Sequence, residues 1–210
     1  MRIDMAYSSF TLDEVAEKFA LKIRQESFLG DVGSVAPSPW LQETLAKYQP
    51  MAFISEKSRC ESVVFPILTT CREMLDNEVY IYPGITFNVD AVRGLVGECD
   101  YLFAWTAPTP LLEAPFLVVV EAKKDDLYQG LGQCAAQMIA ATIFNERRKR
   151  CLPCIYGCVT TGREWQFVKL EQNELLIDTK VLFISNLELV LGTLVAVLRE
   201  GVAHARTIAA

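Results

Sequence analysis

A chain of 210 residues that is 51% apolar and 22% charged is long enough for one domain and apolar enough for a sizeable core, which excludes a disordered segment. Its formal charge of −6, from 20 basic and 26 acidic residues, weighs against a broad basic nucleic-acid surface but leaves room for acids gathered in a site. Seven cysteines, no apolar leader at residues 1–5 and no apolar run near the roughly 20 residues of a bilayer span read as reduced core thiols in a cytoplasmic protein without a membrane partner.

In chain order, Thr11-Leu12-Asp13-Glu14 is a capping box. It opens an amphipathic helix with Val15, Phe19 and Ile23 inward and Gly30 as its stop. A Gly/Ser/Pro-rich loop over 31–39 follows, and Ser38-Pro39 reads as an N-cap with proline at the first helical position, starting a short helix through Tyr48. Residues 55–75 are again helical in pattern, yet Pro66 lies inside them. Proline costs about 3 kcal/mol in an unbroken helix, so the helix kinks there or a new one begins. After Asn77 the apolar residues alternate, and 79–90, 97–106 and 116–124 read as three successive strands, the last two joined through Pro108 and Pro110. A helix over 126–148 packs through Leu127, Leu131, Cys134, Met138 and Thr142. Its last turn, Arg147-Arg148-Lys149-Arg150, is cationic as the helix dipole favours. Strands at 155–160, 165–170 and 175–184 and a helix over 187–200 complete the pattern.

This order predicts an α/β chain: a three-layer α/β/α sandwich with a central mixed β-sheet. A single domain over 1–210 is expected, with an N-terminal helical extension at 1–50, a core at 55–161 and C-terminal strands and helix at 162–210. A homo-oligomer is compatible with it.

The chemistry-bearing feature is Glu121-Ala122-Lys123 at the end of the apolar run Phe116-Leu117-Val118-Val119-Val120. Strand side chains alternate with period two, so the carboxylate and the ammonium share one face. By chance alone about one acid-x-Lys triplet is expected from this composition. The chain has a second, Asp178-Thr179-Lys180, which lacks an acid-bearing strand before it and a helix after it. Glu121-x-Lys123 has both, because Asp100 lies at the start of the preceding strand. Two such carboxylates can hold Mg²⁺ through oxygen ligands, with phosphate and water completing the shell.

Glu61 on a helix, Asp100 on a strand, Glu121-x-Lys123 on the next and Gln133 on the following helix together resemble the PD-(D/E)XK nuclease superfamily, the restriction-endonuclease-like fold. Ser55-Glu56-Lys57-Ser58-Arg59-Cys60-Glu61 before Pro66-Ile67-Leu68 also resembles the opening of the nuclease domain in type I restriction enzyme motor subunits. The likeness covers roughly residues 55–161, and Gly130-Leu131-Gly132-Gln133-Cys134 with Gln137 resembles the family's helical glutamine motif. Cys99 stands where the family's name has proline. The resemblance implies a restriction-endonuclease-like fold and Mg²⁺-dependent endonuclease activity on DNA, Mn²⁺ being an alternative ion. Asp100, Glu121 and Glu61 would be metal ligands, Glu56 the alternative helical acid, and Lys123 and Gln133 further catalytic residues. A non-catalytic nucleic-acid- or protein-binding member of the same fold is the competing expectation.

Two further features carry other readings. Cys151, Cys154 and Cys158 have the spacing of a redox or zinc site, although a structural zinc normally takes four ligands. Gln129, Gln133 and Gln137, four residues apart, line one helix face, while Trp165 after the turn at 160–164 reads as core.

Overall fold

The computed structural model describes residues 6–50 and 55–209. Residues 1–5, on which the expectation about a leader rests, lie outside them. The helix opened by the capping box is α1 (Leu12–Phe19). It stops earlier than the apolar pattern suggests, because Ala20 turns left-handed with φ 53° and its N–H closes the last turn. Ile23 therefore belongs to a strand, β1 (Lys22–Gln25), rather than to the helix. The N-terminal segment is thus more than a helical extension, since β1 forms the edge of the sheet.

After α2 (Pro39–Tyr48), capped by the Ser38 hydroxyl, the next helical stretch runs α3 (Glu56–Arg59), a π-turn over Cys60–Val64 and α4 (Phe65–Glu73). Pro66 lies in the first turn of α4, so a new helix begins there, where a residue without an N–H is tolerated. The wide turn before it is closed by the Phe65 N–H, which donates to Cys60 O.

Strands β2 (Tyr80–Thr86), β3 (Glu98–Ala104) and β4 (Phe116–Ala122) form an antiparallel meander. Helix α5 (Leu127–Arg147) then crosses over to β5 (Cys154–Thr160), which lies parallel to β4. Strands β6 (Glu164–Glu171) and β7 (Glu174–Phe183) return antiparallel, and α6 (Leu187–Ala209) closes the chain. The mixed seven-stranded order is β1-β7-β6-β5-β4-β3-β2, with β1 parallel to β7.

β4 is buried along its whole length, as a strand covered on both faces must be. Val118 and Val120 pack with α4 and α6 residues such as Ile67 and Leu194. Val119 faces the other way, into the layer of α1 and α5 with Val15, Leu131 and Ala135. Glu121, two residues on from Val119, therefore turns toward α5. Trp165 is fully buried on the α6 side, as a core residue. Among the described residues no helix is long and apolar enough to cross a membrane.

Candidate active site

The site forms where two strands part. β3 and β4 pair as far as Tyr101 opposite Val120. One step on, the Ala122 N–H donates to Asp100 Oδ2 at 2.7 Å instead of to a backbone carbonyl, and the Lys123 N–H turns to Thr160 O on β5 at 2.8 Å. The opening between the strands is thus closed by a side chain, which fixes Asp100 beside Glu121.

Glu121 is only 1% exposed, and both its oxygens are held. Lys123 Nζ donates to Oε1 at 2.6 Å and Gln137 Nε2 donates to Oε2 at 2.8 Å. The Lys123 ammonium is shared with Gln133 Oε1 at 2.9 Å. The structure so brings Asp100, Glu121, Lys123 and Gln133 together. Gln137, one helical turn beyond Gln133, completes the set and was grouped by sequence with Gln133 without being preferred. Gln129, the third member of that stripe, is exposed. The Gln137 side chain is fully buried, and its Oε1 has no hydrogen-bond partner among the described residues.

Electrostatics show how crowded the acids are. Burial first, and then the Asp100 carboxyl, push Glu121 up to about 8, against the smaller pull of Lys123 and Gln137. Burial likewise raises Asp100, opposed by the Ala122 N–H and Lys123. Burial works against the Lys123 ammonium, yet Glu121, Glu56 and Asp100 together carry its pKa above the ordinary value. The pocket holds more negative than positive charge and takes up protons when no cation is present.

The helical acid in this field is Glu56, which acts electrostatically on both Asp100 and Lys123. Glu61, expected from sequence to face the site, is exposed and acts on Tyr101 instead. The reason lies in the π-turn: Ser62, Val63 and Val64 are three consecutive buried residues, and packing them turns Glu61 outward. Among the described residues no third Cys, His, Asp or Glu has a ligand atom within 4.8 Å of those of both Asp100 and Glu121, so Glu56 stands at longer range.

Two glycines of α5 make the arrangement fit, a role that sequence reasoning missed. A Cβ at Gly130 would overlap Val159 and lie 2.9 Å from Lys123 Cγ, so this glycine leaves room for the lysine stem. Gly130→Ala is expected to displace Lys123, lowering any cleavage at least as far as removing the ammonium does. Overpacking should also cost about 1–3 kcal/mol, partly offset by better helix propensity, and thermal melts beside the rate would read both. Unchanged rate and melting would mean that the lysine stem is not confined there.

The second acid-x-Lys triplet is structural. Asp178 is fully buried, and its carboxylate accepts from the N–H groups of Phe28, Leu29 and Lys180, anchoring the loop after β1. The basic cluster ending α5 is also largely committed internally. Arg147 donates to Val89 O at 2.7 Å, and Arg148 lies 4.5 Å over the Phe144 ring.

Cys151, Cys154 and Cys158 do not converge. Four strand residues carry Cys158 about 13 Å from Cys154, into the core, while Cys151 is exposed before the strand. A cleft beside Lys123 is lined by Ser9, Thr11, Tyr128, Gln129 and Gln133. A more prominent cleft between α2 and Arg163 carries none of the site carboxylates. No protein-family model matches the chain, and no curated protein matches it.

Proposed function

We propose that this protein is a Mg²⁺-dependent phosphodiesterase acting on DNA, built on a restriction-endonuclease-like scaffold of the PD-(D/E)XK type. The observation that carries this reading is the half-buried Asp100 beside the buried Glu121, with Lys123 hydrogen-bonded to Glu121. Two adjacent carboxyl groups in a proton-accumulating pocket are the donor set a hard divalent ion takes, so the residues present fit Mg²⁺ or Mn²⁺. Asp100 and Glu121 would hold the ion, with Glu56 as the outer acid. When bound, such an ion supplies an acidified water and neutralises charge on a phosphate.

The chain's own groups divide the remaining work. Gln137 fixes the second oxygen of Glu121, and Gln133 and Glu121 together hold the Lys123 ammonium beside the carboxyl pair. A donor held there stabilises negative charge developing on a phosphoryl oxygen or orients the attacking water. The Gln129 side chain of the adjoining cleft is suited to phosphate oxygens, and the exposed Tyr128 ring, 64% accessible, is suited to a nucleobase.

The test is a cleavage assay on single- and double-stranded DNA with Mg²⁺, Mn²⁺ or chelator. Metal-dependent cleavage is expected, and Lys123→Ala should slow it by about 10²-fold or more while metal binding persists, since the ammonium is not a ligand. The net charge of −6 favours the competing reading of a binding module. No cleavage of any DNA form by wild type, with DNA or protein binding retained, would establish that reading instead.

A further inference from the structure

On the opposite face of the sheet, at the far end of β5 from the carboxyl pair, three metal-binding side chains meet. Cys154 opens β5 and points toward α6, while Glu200 and His204, four residues apart on α6, present the same helix face. One ligand atom from each lies within 4.8 Å of the others, and Cys154 Sγ is 4.0 Å from His204 Nδ1. β5 residue Val159 stands level with Glu121, so about five residues of strand, roughly 17 Å, separate this cluster from the candidate active site.

We propose that Cys154, Glu200 and His204 form a binding site for a divalent transition-metal ion of the zinc class, with three protein ligands and a fourth position open to solvent. The donor set decides the class of ion. A thiolate and an imidazole select zinc-like metals over Mg²⁺ or Ca²⁺, and a carboxylate is an accepted third ligand. At zinc bond lengths of about 2.3 Å to sulfur and 2.0–2.1 Å to nitrogen, a tetrahedral ion needs its S and N ligands about 3.5 Å apart. The present separation exceeds that by about half an ångström, within reach of small side-chain rotations. Cys154 is buried, His204 half-buried and Glu200 exposed, so an ion would be backed by protein and reached from water at the helix edge.

The surroundings are consistent with this use. The Tyr156 hydroxyl interacts with both Glu200 and Cys154, giving the carboxylate the kind of neighbour that orients metal ligands. Lys169, held by Glu171 at 3.0 Å, lies close enough to favour the Cys154 thiolate. Without metal, burial keeps that thiol protonated, at about 11, and Glu200 adds to the rise, so binding would release a proton. The ion would tie α6 to the sheet.

The test titrates reduced, chelator-stripped full-length protein with Zn²⁺ and Co²⁺. One equivalent bound through the thiolate is expected, apart from any ion held by the carboxyl pair, the Co²⁺ form showing a sulfur-to-metal charge-transfer band and the Zn²⁺ form melting at higher temperature. Cys154→Ser should lose the band, and His204→Ala should lose the binding equivalent. Cys151→Ser should leave both intact. His204→Ala changes a half-buried residue near the end of a helix, so far-UV circular dichroism on that variant separates lost binding from lost fold, and His204→Gln provides a second test. Wild type without a thiolate band, or a band that follows Cys151 rather than Cys154, would overturn the proposal.

Discussion

Glu121→Gln is expected to abolish Mg²⁺-dependent DNA cleavage and, in the same protein, to abolish any rise in melting temperature caused by Mg²⁺. The substitution changes one atom in a fully packed site. Its amide oxygen can still accept from Lys123, and its NH₂ can face Gln137 if that amide turns to offer the Oε1 that now has no partner. The fold should therefore survive while the charge that would hold the ion is gone. The thermal readout matters because it separates a lost ligand from any loss of substrate binding.

The same variant has a pH signature whose sign is fixed by the site. Glu121 sits at about 8 in the folded protein against an ordinary 4.5, so between these values the native state holds a proton that the unfolded chain has released. Stability from this group is fully present below about pH 4.5 and is lost as pH rises through 8. Burial raises Asp100 in the same direction. A neutral glutamine is spared this loss, so the melting temperature of Glu121→Gln relative to metal-free wild type should climb from pH 5 to pH 8.5. Mg²⁺ should compete with the bound proton, and wild-type affinity should fall by about tenfold per pH unit below 8. Wild-type cleavage rates in Glu121→Gln, freed of contaminating nuclease, would sink the mechanism. A melting difference that ignores pH would remove the charge-crowding account alone.

The parts of this site that were legible in the sequence are those set by local periodicity. The all-apolar run before Glu121 identified a strand covered on both faces, and period two then put Glu121 and Lys123 on one side of it. Asp100 followed from the strand before, while the four-residue repeat on α5 put Gln133 and Gln137 on one face and only the family resemblance singled out Gln133. What escaped depended on contacts far apart in the chain. Lys22-Ile23-Arg24-Gln25 has no strand signature of its own and is a strand because β7 pairs with it across some 150 positions. The left-handed Ala20 that ends α1 carries no glycine to announce it. Glu56 and Glu61 were separable only through the π-turn, whose wide register changes which side chain turns inward. The cysteine spacing pointed to a shared site, but an extended strand moves Cys154 and Cys158 apart, and the partners Cys154 meets lie 46 and 50 residues later on α6.

Gly132→Ala should be the most destabilising of the glycine substitutions in α5, although on propensity alone alanine would stabilise a helix interior by about 0.8–1.0 kcal/mol. A Cβ at this position would overlap the backbone of Phe10 and Thr11 and lie 2.7 Å from Leu12 N, where the first turn of α1 rests on α5. Overpacking costs typically about 1–3 kcal/mol, and the upper end applies because these atoms are main chain and cannot rotate away. α1 is also fastened by its own capping box, Thr11 to Glu14, so it must move as a body. A net loss of about 2 kcal/mol is expected, which in a chain of this size lowers the melting temperature by about 4–8 °C. Gly201→Ala is the comparison: the nearest atoms its Cβ would meet belong to the Leu117 side chain, at 3.0 Å and beyond, and small yielding there should offset the propensity gain to leave melting near wild type. The same displacement reaches the chemistry, because Ser9 and Thr11 form one wall of the cleft whose other wall carries Lys123 and Gln133. Gly132→Ala should therefore weaken DNA binding as well as stability, and a variant that melts and binds as wild type does would show that α1 is not seated on α5 through this glycine.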